Sequence, residues 1–118
     1  MFSDFSFSDD TVGFLIEGDF NTELSLELHA RILQKLKEYD RINLYLEDSN
    51  IENFSLDAVF EDIRFKVRNA ERFNKVALVS DRRWIKLCAA LEGVFTGMNI
   101  KSFSTDDRLK AMSWIAER

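Results

Sequence analysis

The chain of 118 residues has no proline, a single cysteine and a single histidine. One thiol, Cys88, excludes a disulfide within the chain, and its place among apolar residues predicts a core thiol. One histidine, His29, excludes a metal site built from several imidazoles. The lack of proline is unusual, but no function follows from it.

Long apolar stretches and basic charge are also scarce. No run approaches the roughly 18 apolar residues of a membrane-spanning helix, and the first residues lack a basic-then-apolar leader. Lysine and arginine number 16 against 21 acidic residues, so the formal net charge is −5. Nucleic acids and anionic membranes bind basic surfaces, and this balance argues against both. We expect a soluble cytoplasmic protein with no transmembrane segment.

Familiar catalytic motifs are missing as well. The sequence contains no G-x-S-x-G, no glycine-rich phosphate loop, no C-x-x-C and no H-E-x-x-H. These absences favour a protein that is not an enzyme and needs no cofactor. Among the carboxylates, Glu47, Asp48 and Asp81 could gather at one end of a sheet and bind a divalent cation through oxygen ligands. Ordinary solvated turns explain the same pattern, and we expect no metal.

The composition favours one folded domain over residues 1–118, since 46 % of the residues are hydrophobic. Its organising stretch is KVALVSDRRW, residues 75–84. The apolar run 76–79 has no polar alternation, which is typical of a strand covered on both faces in a parallel sheet. Ser80 or Asp81 is then predicted to cap a helix. Helical spacing predicts the buried stripe of that helix: Trp84, Leu87, Cys88, Leu91, Val94 and Phe95.

The same reasoning predicts the element order β-β-α-β-α-β-α-β-α. The first two strands are predicted to form an antiparallel hairpin. The alternation that follows predicts an α/β fold with a mixed, mostly parallel sheet of four or five strands and with four helices. The predicted strands cover about 5–8, 12–17, 42–46, 76–79 and 99–103, and the predicted helices cover about 22–39, about 55–73, a stretch ending near Gly97, and a stretch capped by Ser104 or Thr105.

The second predicted helix carries apolar residues on two sides. Helical spacing predicts its core stripe: Leu56, Val59, Phe60, Ile63, Val67 and Ala70. Phe54, Ala58 and Phe65 fall on roughly the opposite side, since residues nine apart differ by about 180°. We take these three as a candidate surface for a protein partner or for self-association as a homodimer. In the first helix, His29 is predicted to be partly exposed. The last helix is predicted to bury Leu109, Met112 and Ile115.

Polar residues gather where the predicted strands end. In open α/β sheets, ligands bind at the carboxyl ends of parallel strands. Arginine makes forked bonds to phosphate or carboxylate, so Arg82 is the strongest candidate for holding an anion. The ligand site predicted on this basis comprises Asp48, Ser49, Ser80, Asp81, Arg82 and Trp84. A lipid or an anionic small molecule is the predicted ligand, and a capped helix with solvated arginines is the simpler alternative.

Four stretches of the chain carry a resemblance to a known family. They are IEGDF at 16–20, INLYLEDSN at 42–50, KVALVSDRRW at 75–84, and the strand IKSF that leads to KAMSWIAER. In these the chain resembles the SpoIIAA-like family, which shares the STAS fold of anti-sigma-factor antagonists. The resemblance implies a non-enzymatic regulatory or protein-interaction module. The same fold also holds nucleotides, anions or lipids, so a carrier of a lipid or anionic metabolite stays open.

The resemblance also implies a phosphorylation site. Anti-sigma-factor antagonists carry a phosphorylatable serine in an Asp-Ser-Ser/Thr-Gly turn before the second helix. Here Asp48 and Ser49 match the first two positions, whereas Asn50 and Ile51 depart from the motif. Ser49 is therefore the candidate phosphosite. A phosphate near a helix N-terminus would meet free backbone N–H groups and change the charge of a partner surface.

Overall fold

Strands and helices alternate along the chain, and the five strands within residues 2–117, which the computed structural model describes, join one sheet. The elements are β1 (Phe2–Ser8), β2 (Thr11–Phe20), α1 (Thr22–Glu38), β3 (Ile42–Phe54), α2 (Leu56–Arg68), a 3-10 turn (Ala70–Arg72), β4 (Phe73–Val79), α3 (Arg83–Thr96), β5 (Ile100–Phe103), a second 3-10 turn (Thr105–Asp107) and α4 (Arg108–Ala116). Strand β1 pairs antiparallel with β2, whereas β2 to β5 run parallel in chain order. The predicted α/β fold and element order are confirmed.

Helices cover both faces of the sheet, and side chains alternate between those faces along the inner strands. The larger core joins the sheet to α1 and α2 and includes Leu44, Leu46 and Val76. The smaller core joins the sheet to α4 and includes Tyr45, Ala77, Val79, Ala111 and Ile115. Burial on both faces explains why the inner strands read as unbroken apolar runs. None of the helices in the described residues is long and apolar enough to cross a membrane.

Strand β3 continues past its predicted end at Leu46, so the predicted polar turn at 47–50 is wrong. Strand β2 lies beside it and supplies pairing partners as far as Phe54. The register skips Ser49 and then Glu52, which marks bulges in β3. The polar residues stay in the sheet because a neighbouring strand offers them backbone hydrogen bonds, and the sequence of β3 alone does not reveal that neighbour.

Helix α2 buries mainly the side opposite to the predicted one. Of the predicted core stripe, Val59 and Ala70 are partly buried and pack against the core. Ala58 and Phe65 are 0 % and 7 % exposed, and Phe54 is partly buried against the same core. The candidate partner surface at Phe54, Ala58 and Phe65 is therefore wrong, because the core already covers it. Leu56 and Phe60, which were predicted to be buried, are 76 % and 63 % exposed. Both sides of the helix are apolar, so spacing alone did not select the buried one.

Helix α3 also turns most of its predicted core stripe outward. Ala89 and Glu92 are its buried residues, and Cys88 is half-buried. Its exposed large side chains are Trp84, Leu87, Leu91, Val94 and Phe95. In α4, Leu109 is exposed, contrary to prediction.

His29 of α1 is buried rather than partly exposed. Its ring stacks on the ring of Phe65, with 4.0 Å between ring centres.

Gly97 ends α3 as predicted. Its φ of 74° lies in the left-handed region that glycine adopts without strain, and its N–H bonds the carbonyl of Gly93 at 3.0 Å. The predicted caps at the starts of α3 and α4 are wrong. Arg82 occupies the cap position of α3 without a side-chain cap. Ser104 holds the cap position of the second 3-10 turn and Asp107 that of α4, and neither side chain makes a cap hydrogen bond.

The two sides of α2 give a direct test of this packing. We expect Phe65→Asp to lower the free energy of unfolding by about 3–5 kcal/mol, since it removes a buried ring and buries a charge without a partner. We expect Phe60→Asp, on the exposed side of the same helix, to change it by about 0.5 kcal/mol or less. Urea denaturation in dilute solution measures both. Equal losses would contradict the assignment of the buried side.

Candidate functional site

Three of the predicted ligand-binding residues meet at the carboxyl edge of the sheet. Oδ2 of Asp48 accepts hydrogen bonds from Oγ of Ser80 at 3.0 Å and from Nε of Arg82 at 2.7 Å. Its Oδ1 accepts from the backbone N–H of Ile51 at 3.1 Å. The side chain of Arg82 also donates to the carbonyl of Ile51. Asp48 and Arg82 thus satisfy each other and join β3 to the start of α3.

Trp84 lies next to this edge through an aromatic contact. The guanidinium carbon of Arg82 lies 5.0 Å from the ring centre of Phe54. The ring of Phe54 in turn meets Trp84 edge to face, with 4.7 Å between ring centres. Asp48, Ser80, Arg82 and Trp84 are therefore brought together, and the guanidinium is already engaged by a carboxylate, a carbonyl and a ring.

Ser49 and Asp81 lie apart from these contacts. Ser49 is exposed in β3 at the first bulge, six residues before the helix cap at Ser55, so it is not at a helix N-terminus. Its phosphorylation stays a prediction. Asp81 accepts hydrogen bonds from Oγ1 of Thr105 at 2.7 Å and from its N–H at 3.0 Å, and these bonds lower the pKa of Asp81. Asp81 therefore ties the β4–α3 loop to the turn before α4.

The three carboxylates considered for a cation point to three different sets of partners. Glu47 is fully buried, where it accepts a hydrogen bond from the hydroxyl of Tyr45 at 2.6 Å and pairs with Arg108. Burial and this bond raise the pKa of Tyr45. Asp48 and Asp81 are bound as described above. Within residues 2–117 no group of three or more histidine, cysteine, aspartate or glutamate side chains is placed to hold a metal ion.

A cavity of about 80 Å³ lies between the sheet, α2 and α3. We call it the α2–α3 cavity. Asp48, Ser80 and Trp84 are among the residues that line it. Its walls are mainly apolar and include Ile16, Phe20, Leu28, Leu46, Ile51, Phe54, Val59, Ile63, Leu78, Ile85 and Cys88. A single water needs roughly 10–15 Å³, so the cavity has room for a small ligand.

Charged side chains of α2 and α3 also line this cavity, namely Asp62, Lys66 and Glu92. Nζ of Lys66 lies 2.9 Å from Oδ2 of Asp62, one turn earlier on α2, and 3.4 Å from Oε2 of Glu92 on α3. Asp62 also lies 3.5 Å from Nε2 of His29 on α1. The side chains of Lys66 and Glu92 are only 5 % and 6 % exposed. We call these four side chains, Lys66, Asp62, Glu92 and His29, the ion group. It links α1, α2 and α3 on one face of the sheet.

The pKa values of the group follow from burial and pairing. Burial by itself lowers the pKa of Lys66, but the charges of Asp62 and Glu92 outweigh it and hold that pKa above its ordinary range. For Asp62, burial acts upward, and Lys66 together with His29 outweighs it and lowers the pKa. For Glu92, burial outweighs Lys66 and raises the pKa. Nearby positive charge thus outweighs the cost of burying the charged carboxylate at Asp62, but it does not do so at Glu92.

Glu92 also has an unused hydrogen-bonding atom. Its Oε1 is buried and has no hydrogen-bond partner among the described residues. Buried polar atoms are hydrogen-bonded in the great majority of cases, so this one requires an explanation. Glu92 is also one of the residues that line the α2–α3 cavity.

Sequence reasoning missed Lys66, Asp62, Glu92 and His29 as a group. A signal was present, because Asp62 and Lys66 are spaced by four residues, the best order for a helical ion pair. Glu92 is the single acidic residue within α3. Nothing in the sequence, however, showed that α2 and α3 lie side by side.

The two carboxylates of the ion group allow a matched test. We expect Asp62→Asn to lower the free energy of unfolding at pH 7 by about 2–4 kcal/mol, because buried Lys66 keeps only the more distant carboxylate. We expect Glu92→Gln to cost about 1 kcal/mol, since Lys66 keeps Asp62 and burial already disfavours the charge of Glu92. Urea unfolding curves measure both losses. A larger loss for Glu92→Gln would contradict this ranking.

The pH dependence of the free energy of unfolding gives a second test of the pairing of Asp62. Its folded pKa lies below the ordinary value of 3.8, so its contribution to stability is present above about pH 4 and is lost as the pH falls through the folded pKa. The stability difference between the native chain and Asp62→Asn should therefore shrink below about pH 4. A difference that stays constant down to about pH 2 would contradict the lowered pKa.

Two known structures have folds similar to that of this chain. An uncharacterised Shewanella loihica PV-4 protein of the DUF3478 family, which has a SpoIIAA-like fold, matches with a TM-score of 0.76 and 18 % identity over 98 % of this chain and 93 % of that one. The anti-sigma factor antagonist SpoIIAA in its unphosphorylated form matches with a TM-score of 0.64 and 9 % identity over 96 % of this chain and 98 % of that one. At sequence identities this low, the structural similarity shows a shared fold.

The sequence itself settles the family. No curated protein matches it. The family model described as SpoIIAA-like matches residues 11–116, which is nearly the whole chain. This confirms the resemblance found in the four sequence stretches. The chain belongs to the SpoIIAA-like family.

Proposed function

We propose that this chain is a non-enzymatic regulatory module that acts by protein interaction and pairs with a second copy of itself. The observation that carries the proposal is a large apolar surface on the outer sides of α2 and α3. We call it the outer face, and its exposed residues are Leu56, Phe60, Val67, Trp84, Leu87, Leu91, Val94 and Phe95.

The outer face is larger than an ordinary monomer displays. Phe60 and Phe95 are 63 % and 82 % exposed. An aromatic side chain covers on the order of 150–250 Å², so these two contribute roughly 300 Å². The largest apolar patch on a typical monomer is about 300–600 Å² in total. Six further large side chains add to this exposed area. Covering apolar area favours association, but the freedom lost on association offsets part of that gain, so area by itself does not set the affinity.

The two helices that carry the outer face lie side by side. The ion pair between Lys66 of α2 and Glu92 of α3 joins them at 3.4 Å. Both helices also line the α2–α3 cavity. A partner that covers one of these helices therefore meets the other as well.

The charges of α2 suit a second copy of the same chain. Asp57 and Glu61 lie in its first half, and Arg64 and Arg68 lie in its second half. Within one chain Glu61 pairs with Arg64 at 3.3 Å. When two copies of α2 pair antiparallel about a two-fold axis, Asp57 faces Arg68 of the second copy, and the two Glu61–Arg64 pairs lie opposite each other. Such an interface is self-complementary, as two-fold dimers require. Opposite charges at a rim fix the register of a complex, although each pair contributes little affinity.

The fold supports a protein as the occupant. One structure with this fold is an anti-sigma factor antagonist, whose name describes action on a protein factor. The alternative of an anionic ligand held by Arg82 has less support, since the Arg82 guanidinium already bonds Asp48 and the carbonyl of Ile51.

Sedimentation velocity tests the proposal on the full chain. Between about 1 and 100 µM we expect the native chain to pass from monomer to dimer, because such a surface supports affinities in this range. Val94→Glu places a charge within the outer face and should leave a monomer throughout. Its cost to the monomer should stay within about 0.5 kcal/mol, since Val94 is exposed.

Leu109→Glu provides the matched control. Leu109 is 74 % exposed but lies on α4, which covers the other face of the sheet. This variant should dimerise like the native chain. A native chain that stays monomeric at 100 µM, or a dimer that Val94→Glu leaves intact, would contradict the proposal.

A further inference from the structure

We propose that the α2–α3 cavity is a binding site for an aliphatic amine, whose ammonium group binds Oε1 of Glu92. The cavity shares Trp84 with the outer face, but amine binding there does not require self-association. Three features support the site: the apolar walls of the cavity, the unused oxygen of Glu92 and the balance of charge.

The walls select an aliphatic chain. Leucine, isoleucine, valine and phenylalanine side chains from the sheet, α1 and α2 form most of the lining, with Ile85 and Cys88 from α3. Ligand sites commonly combine such apolar walls with a few polar groups that fix orientation. An alkyl chain is the part of a ligand that these walls would hold.

The unused oxygen selects a hydrogen-bond donor. Oε2 of Glu92 lies 3.4 Å from Nζ of Lys66, whereas Oε1 is buried without a partner among the described residues. The side chain is 6 % exposed, so bulk water reaches it poorly. Leaving a buried acceptor unused costs more than a typical hydrogen bond contributes. A donor in the cavity would remove that cost.

The charges of the side chains around the cavity favour a cation as the ligand. Asp62 and Glu92 bring two carboxylates to this part of the cavity, and Lys66 brings one ammonium. A second ammonium would complete the balance, and hydrogen bonds between ionised partners are about twice as strong as neutral ones. A carboxylate ligand would instead meet two like charges. These charges favour an amine over the anionic ligand expected from the sequence.

Three probes of equal chain length separate these contributions: hexylamine, 1-hexanol and hexanoate. Trp84 lines the cavity and reports binding by fluorescence once the other tryptophan is removed by Trp114→Phe. We expect hexylamine to bind about tenfold more tightly than 1-hexanol, since it adds an ionic hydrogen bond. We expect hexanoate to bind most weakly.

Glu92→Gln tests the role of the oxygen. The amide carbonyl should stay on Lys66, so the amide nitrogen takes the place of Oε1 and presents a donor to a donor. Hexylamine should then bind about tenfold more weakly, while 1-hexanol should change by no more than about twofold, since a hydroxyl also accepts hydrogen bonds. Its urea unfolding curve confirms that the variant is folded.

Cys88→Phe tests the location. Cys88 is half-buried and lines the cavity, so a ring there should fill the space and weaken both hexylamine and 1-hexanol. The proposal is overturned if no probe binds at millimolar concentration, if hexylamine gains nothing over 1-hexanol, or if Glu92→Gln leaves that gain intact. Unchanged binding in Cys88→Phe would likewise place the probes elsewhere.

Discussion

The buried ammonium of Lys66 is the constraint on which the helical layer depends. An unpaired charge in a protein interior costs several kcal/mol, so this side chain must keep its carboxylates. Asp62 comes from its own helix, and Glu92 comes from α3. Helices α2 and α3 therefore turn their charged sides toward each other. Asp62 extends the link to His29 of α1, whose ring stacks on Phe65 and fixes the inner side of α2.

The exposed apolar surface follows from that rotation. With Lys66 and Asp62 toward α3, and with Ala58 and Phe65 toward the core, α2 has only its Leu56 and Phe60 side left to face outward. Apart from Glu92, helix α3 has three polar side chains, Arg83, Lys86 and Thr96, so most of its outer side is apolar. The same arrangement leaves the α2–α3 cavity between the helices. A surface for a partner and a space for a ligand thus share one physical origin.

At the carboxyl edge of the sheet, the predicted polar residues meet, but they bond one another. The sequence correctly indicated that Asp48, Ser80, Arg82 and Trp84 would meet there, because parallel strands end at a common edge. It did not show that Asp48 would already neutralise Arg82 at 2.7 Å. A guanidinium in such a pair stabilises a loop, whereas a free one would bind an anion. The polar character of this edge was predictable, but its role was not.

The sequence by itself determined the α/β class, the element order, the parallel inner strands and the cap at Gly97, because each depends on local spacing or local backbone angles. The family was also readable from it, since the four stretches that carry the resemblance are spread along the chain. Only the tertiary structure decided which side of α2 and of α3 is buried, and how far β3 extends. Both helices are apolar on more than one side, and β3 gains its extra pairs from β2. Those choices depend on a charge pair and on a strand neighbour that are distant in sequence, so no local pattern contains them.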